Sequence, residues 1–153
     1  MSVAPTLGVY KLPTIDNEPM RNYEPNSKDR QELQKAVDEL LACKPFEIPV
    51  IIDGQEFRSG KLAKQVNPGD HAQAVCYYHE ADERMVNIAI EGALKAKKQW
   101  MNMPWSERAA ISMKAADLIA HKYRYQLLAA TMVGQGKNVW QAAVSYTHLR
   151  AHE

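Results

Sequence analysis

Cysteine is scarce in this sequence. Cys43 and Cys76 are the only two among 153 residues, too few for a disulfide framework, and the scarcity points to a reducing compartment. Long apolar runs are missing too, since none approaches the roughly 20 residues that a membrane-spanning helix needs. Neither sign of charge is in excess: 19 Lys and Arg face 18 Asp and Glu, a formal net charge of +1. That balance offers no electrostatic case for nucleic acid or an anionic membrane as partner. The opening MSVAPTLGVYKLPTIDNEP lacks the basic-then-apolar order of a secretory signal. It also lacks the Arg-rich amphipathic character of a transit peptide. The expected location is the cytoplasm, with a mature mitochondrial-matrix form as the alternative. No internal repeat of about 20 to 50 residues is visible, so a solenoid is not indicated.

What is present is the composition of an ordinary globular chain, 46% apolar and 24% charged. Four of the eight prolines, Pro5, Pro13, Pro19 and Pro25, fall in the first 25 residues. Proline fixes φ and donates no ladder hydrogen bond, so residues 1–26 read as an extended arm lying over the surface. A helix follows, capped by Asn26 or Ser27, with Asp29 in its first turn. Its apolar stripe is Leu33, Ala36, Val37, Leu40 and Leu41, and Pro45 ends it.

The segment IPVIIDGQEF then reads as a hairpin. Val50 to Ile52 favour a strand, Asp53-Gly54 is a two-residue turn, and Phe57 lies on the return. A further extended segment is expected at Gln73 to Tyr78, after the turn-rich Asn67-Pro68-Gly69-Asp70.

The remainder reads as helical. Asp82 caps a helix carrying Met85, Ile88, Ala89, Ala93, Ala96 and Trp100, which Pro104 interrupts. Ser106 is the expected cap of the next helix, with Ala110, Ile111, Ala115, Leu118 and Ile119 facing inward. Leu127, Leu128 and Met132 occupy a further helical segment, and Gly134 is placed to end it in the left-handed conformation. Val139 to Ala143 begin another helix, which stops without a cap or an apolar continuation.

Several residues invite a chemical reading. Gly134-Gln135-Gly136-Lys137-Asn138 hints at a phosphate loop, but such a loop needs four residues between its first glycine and Gly-Lys, then Ser or Thr. A helix precedes these glycines and Asn138 stands in place of the hydroxyl, so a helix stop and restart is expected. Cys43 and Cys76 read as small buried hydrophobes rather than nucleophiles. His79-Glu80 and Asp82-Glu83 suggest a metal cluster, yet more simply supply a polar loop and negative charge at a helix start. His148 and His152 have the spacing of two zinc ligands on a helix, without the glutamate that follows the first histidine in that motif. The other histidines are His71, His79 and His121. No catalytic, cofactor-binding or metal-binding residue is assigned.

Longer words in the sequence carry more. Asn17-Glu18-Pro19 with Tyr23, then Ser27-Lys28-Asp29-Arg30 and Leu33, IPVIIDGQEF, Gln65-Val66-Asn67-Pro68, KAADLI at Lys114 to Ile119 and TMVGQGKNVWQA at Thr131 to Ala142 together resemble one family. It is that of the delta-1-pyrroline-5-carboxylate (L-glutamate gamma-semialdehyde) dehydrogenases, within the aldehyde dehydrogenase superfamily. KAADLI is common across the superfamily, whereas TMVGQGKNVWQA is characteristic of this branch.

The resemblance implies an α/β fold: an extended arm, a helix, a hairpin, then helices of a Rossmann-like NAD-binding domain, here incomplete and spanning residues 27–143. It implies a parent enzyme of proline degradation, a homo-oligomer, that oxidises glutamate gamma-semialdehyde to glutamate with NAD. A cysteine thiolate attacks the aldehyde, amide donors hold the oxyanion, and hydride transfer leaves a thioester. A glutamate-activated water then hydrolyses it. In that family the nucleophile, the base, the oxyanion asparagine and the nucleotide-binding motifs all come later than this chain reaches. The chain is therefore expected to be inactive by itself, and neither Cys43 nor Cys76 takes the catalytic position.

Two other readings remain beside this one. The first is a standalone helical interaction module, and the second is an aldehyde dehydrogenase of different specificity. Finally, VSYTHLRAHE at Val144 to Glu153 resembles one reading frame of a transposase adapter used in preparing sequencing libraries. Residues 144–153 are accordingly expected to be adapter-derived rather than native.

Overall fold

The computed structural model describes the backbone of residues 11, 14 and 18–151, with side chains as far as residue 145. Pro5 and Pro13 of the arm, and His152, lie outside the described residues, as do the side chains of the expected adapter segment from residue 146 on.

Helix α1 runs Lys28–Ala42. Asn26 takes a positive φ of 67° and turns the chain, and Ser27 is the cap, its Oγ accepting from the Arg30 amide at 3.2 Å. Leu33 is its one buried residue, and Val37 packs beside it. Leu41, at the far end of the stripe, is 40% exposed. The helix gives way at Cys43, two residues before Pro45, to extended backbone.

Five short strands follow. β2 (Val50–Ile52) and β3 (Gln55–Phe57) form the hairpin expected from Asp53-Gly54, paired Val50 to Phe57 and Ile52 to Gln55. Asp53 and Gly54 have φ of 50° and 72°, the two left-handed residues that match the twist of a tight hairpin.

The other sheet was only partly legible. Its central strand β5 spans Asp70–His79, longer than the expected Gln73 to Tyr78, and its neighbours β1 (Phe46–Ile48) and β4 (Leu62–Asn67) were not foreseen. β4 returns antiparallel through the Asn67–Asp70 turn, where Asn67 Oδ1 accepts from the Gly69 amide at 2.9 Å. β1 pairs parallel with β5, Phe46 opposite Cys76. Three residues carry no alternation to read, so pairing with a distant strand decided β1.

Helix α2 (Glu83–Asn102) begins at Asp82, whose Oδ1 accepts from the Met85 amide at 2.8 Å. Helix α3 (Trp105–Asp117) starts at Pro104 with no side-chain cap, so the expected cap Ser106 sits inside its first turn instead. Proline tolerates this place because a helix start has no use for its missing N–H. Leu118–Lys122 widens into a π-turn, closed by the Tyr123 amide donating to Leu118 O at 2.9 Å.

Helix α4 (Arg124–Gln135) follows, and here the expectation for Gly134 fails. Gly134 is helical, and the left-handed cap is Gly136, with φ of 64°. Helix α5 (Val139–Ala151) does not stop where expected but continues as helical backbone to Ala151.

The core lies between helices. Leu33, Leu128, Ala142 and Ala143 form a buried cluster from α1, α4 and α5, with Met20, Tyr23, Ile119, Tyr125, Met132 and Val139 packed against it. The described part of the arm thus contributes to the core as well as crossing the surface, because Met20 and Tyr23 close one side of it.

Candidate functional site

The residues that drew attention in the sequence do not converge. Cys76 is buried in β5, and burial pushes its thiol above the ordinary range, which disfavours the thiolate a nucleophile needs. Cys43 caps the C-terminus of α1 and is exposed, not buried as its place beside the stripe suggested. Leu33 and Val37 of the stripe pack in the core, whereas Leu41, next to the end of the helix, is exposed.

His79 is a structural histidine. Its side chain is 4% exposed, Nδ1 accepts from the Gly60 amide at 3.2 Å, and Nε2 lies 2.7 Å from Glu47 Oε1. The hydrogen bond from His79 holds the Glu47 carboxyl below its usual range, with Arg58 adding to the effect. Glu80 pairs with Lys61 Nζ at 2.5 Å, and Asp82 is occupied as the α2 cap.

This group therefore ties β1, the β3–β4 loop and the end of β5 together. Among the described residues no three His, Cys, Asp or Glu side chains gather as a metal site. His71 stands exposed on β5, and His121 lies in the π-turn, 3.8 Å from Asp117. The His148 side chain and all of His152 are outside the described residues.

The glycine segment proves to be a junction. Gly136 ends α4, and a Cβ there would stand 3.4 Å from Pro68 Cβ. The amides that a phosphate would need are already bonded. Lys137 N donates to Met132 O at 3.2 Å. Asn138 and Gln141 exchange side-chain and backbone bonds of 3.1 and 2.9 Å, a reciprocal cap in which each side chain satisfies the other's amide. Gln65 Nε2 donates to Gly134 O at 3.3 Å, so β4 holds the same junction from the other side.

A polar assembly that sequence reasoning missed pins the arm to the helices. Arg124, 3% exposed, forms a buried ion pair with Glu18 and donates through Nε to Ala120 O at 2.9 Å. Beside it, Tyr125 OH and Arg21 Nη1 both donate to Asp29 Oδ1, at 2.6 and 2.8 Å. The Tyr125 hydroxyl, then Arg21, holds the Asp29 carboxyl below its usual range. Burial and the bond to Asp29 push Tyr125 up to about 12. These groups are matched to one another and locked in place, so they clamp rather than catalyse. Helical periodicity marks apolar positions and is blind to partners a hundred residues away.

The comparison that decides the family is a match of the aldehyde dehydrogenase family profile to residues 55–151. The chain belongs to the aldehyde dehydrogenase family. It is 51% identical over 138 residues to the delta-1-pyrroline-5-carboxylate dehydrogenase of Agaricus bisporus, which covers 90% of this chain and 25% of that protein. It is 45% identical over 139 residues to the mitochondrial delta-1-pyrroline-5-carboxylate dehydrogenase of Emericella nidulans, covering 91% of this chain and 24% of the relative. Among solved structures, the Mycobacterium tuberculosis delta-pyrroline-5-carboxylate dehydrogenase bound with NAD and cobalamin superposes with a TM-score of 0.84 at 34% identity. That likeness covers 90% of this chain and 26% of the other. The chain thus spans about a quarter of the length of the curated relatives it matches.

For an aldehyde dehydrogenase segment, the obvious question is whether these residues could hold the dinucleotide. A pyrophosphate site needs a glycine-bearing turn from a strand into a helix, with the helix amides free for anionic oxygens. The turn from β5 into α2 is Glu80-Ala81-Asp82. It has no glycine, the Glu80 amide donates to Lys61 O, the Met85 amide at the helix start is taken by Asp82 Oδ1, and Glu83 adds a second acid in the first turn. This turn does not fit a pyrophosphate, and no step of cofactor chemistry is assigned to the described residues. No described helix is long and apolar enough to cross a membrane.

Proposed function

We propose that this chain is the amino-terminal segment of an NAD-dependent enzyme that oxidises L-glutamate gamma-semialdehyde to L-glutamate in proline degradation. In this reading residues 27–143 belong to its NAD-binding domain. The observation that carries the proposal is the 51% identity over 90% of the chain to a delta-1-pyrroline-5-carboxylate dehydrogenase. The role that fits the geometry is architectural. The arm is clamped by Glu18–Arg124 and Arg21–Asp29–Tyr125, and the glycine junction locks α4, α5 and the β4–β5 turn together. The name of the Emericella nidulans relative includes "mitochondrial", which favours a mitochondrial location over the cytoplasm for the parent enzyme. The interaction-module reading draws no support from these likenesses.

The isolated chain is expected to form no NADH from glutamate gamma-semialdehyde. A polypeptide that continues to the length of the relatives should do so. Turnover by the purified 153-residue chain, lost on Cys43→Ser or Cys76→Ser, would overturn the assignment. We assign residues 144–153 to an adapter, and the genomic reading frame beyond residue 143 tests this directly. Native codons for VSYTHLRAHE would make the segment part of the protein.

A further inference from the structure

Both ring nitrogens of His79 are engaged, and their partners fix where its proton sits. The Gly60 amide can only donate, so Nδ1, 3.2 Å away, must carry a lone pair. Nε2 then bears the one ring proton and gives it to Glu47 Oε1 at 2.7 Å. A flipped ring would set carbon atoms at both places, so the two bonds together settle the orientation. The neutral ring protonated at Nε2 is the form that satisfies both neighbours.

A second proton would have to enter at Nδ1, where it would meet another N–H. The surroundings offer it little in return. The His79 side chain is 4% exposed, and charge on a ring this far from water is costly. Glu47 is half open to solvent, and the same Oε1 already accepts from Arg58 Nε at 3.2 Å. Arg58 Nη2 is held by Glu56 at 3.0 Å, and Lys61 and Glu80 pair with each other. Leu62 stands opposite His79 across the sheet, with Tyr77 and Lys64 one step further along the same face. A backbone amide, not an acid, faces Nδ1.

Gly60 is built to give way. Its φ of 79° is a conformation that favours glycine, and a Cβ there would meet nothing within 4 Å. Just beyond it, Lys61 O is held by the Glu80 amide at 2.9 Å, which confines any movement to Arg58, Ser59 and Gly60.

We propose that His79 is a proton-operated latch. Neutral, it holds the β3–β4 loop against the end of β5 through Gly60, and on taking up a proton it releases that loop while staying paired with Glu47. The β1–β5 pairing is kept, and acid loosens only the loop at the root of α2, which the chain enters through Glu80-Ala81-Asp82. The proposal does not depend on the family reading.

Amide exchange, followed by NMR on the full chain, tests this. Between about pH 8 and pH 5, the interval in which histidine ordinarily changes charge, the protection factor of the Gly60 amide should fall. A fall of about tenfold or more is expected, the worth of one lost hydrogen bond. The Met85 amide on Asp82 and the Glu80 amide on Lys61 O should keep their protection. His79→Asn sets an amide oxygen near the place of Nδ1 without a titrating ring, so in that variant Gly60 protection should not change with pH. The imidazole nitrogen signals of the unaltered chain give a second readout that needs no variant. At the alkaline end Nδ1 should be bare and Nε2 protonated.

Gly60 protection that stays constant with pH, or falls equally in H79N, would overturn the latch. So would a proton on Nδ1 at the alkaline end. A parallel loss at Gly60, Glu80 and Met85 would also overturn it, since acid would then be unfolding the whole region rather than one loop.

Discussion

Glu18 and Arg124 stand 106 positions apart in the chain and meet as an ion pair almost closed to solvent. The pair joins the arm to the first turn of α4, next to the π-turn whose Ala120 carbonyl takes a second bond from the same guanidinium. Removing one partner of a buried pair leaves the other charge in a poor dielectric, which typically costs about 3–5 kcal/mol. Glu18→Ala is therefore expected to lower the midpoint of denaturant unfolding sharply. Glu18→Ala combined with Arg124→Leu should recover part of the loss, because the stranded charge is gone. A Glu18→Ala midpoint equal to wild type would show that the arm is not clamped here.

The Tyr125–Asp29 bond makes stability sensitive to pH at both extremes. The bonds from Tyr125 and Arg21 hold the folded Asp29 carboxyl below the usual carboxylate range, so its contribution is full above that range and is lost as pH falls through the lowered folded value. Tyr125 shifts the other way, from 10.0 to about 12. Its contribution is full below pH 10 and lost as pH rises through that interval. Tyr125→Phe should cost about 1–2 kcal/mol at neutral pH, as for a hydrogen bond to a charged group partly open to water. It should also flatten the decline at each end. Thermal melts across pH in wild type and variant check both limbs.

Gly134 and Gly136 are two residues apart and should respond to alanine with opposite signs. Gly134 is helical with open space around its missing Cβ. Gly134→Ala is therefore expected to stabilise by about 0.5–1 kcal/mol. Gly136 has a positive φ and faces Pro68, so Gly136→Ala should destabilise by about 1 kcal/mol or more. Equal effects in chemical denaturation would mean that the helix does not end at Gly136.

The two thiols should separate by reactivity. Cys43 is exposed and Cys76 is buried with its thiolate disfavoured. A disulfide reagent is expected to label one cysteine rapidly in the native chain and the second only on unfolding. Cys43→Ser should remove the fast phase. Rapid labelling of both would place Cys76 on an open strand rather than in the sheet.

Local chemistry was legible at several positions where the determinant and its effect lie within about four residues, although Ser106 did not prove to be the cap of α3. Ser27 and Asp82 cap their helices, and Asp53-Gly54 turns the hairpin, because each acts on backbone within its own turn. The family was legible for a related reason, since TMVGQGKNVWQA at Thr131 to Ala142 is a contiguous word. Only tertiary structure decided the rest. β1 exists because β5 pairs with it, and Gly136 rather than Gly134 ends α4 with Pro68 at the turn and Gln65 on the Gly134 carbonyl.

Leu128 and Met85 read from the sequence only as apolar positions on helices. Both are buried, Leu128 in the core it shares with Leu33 of α1 and Met85 on the hairpin side of α2. Asp29, read from the sequence as a charge favouring a helix start, is held by Arg21 and Tyr125 as well. A residue's neighbours in the chain set its backbone preference. Burial and charge pairing depend on which distant segments the fold brings within a few ångströms, and no spacing rule along the sequence encodes that distance.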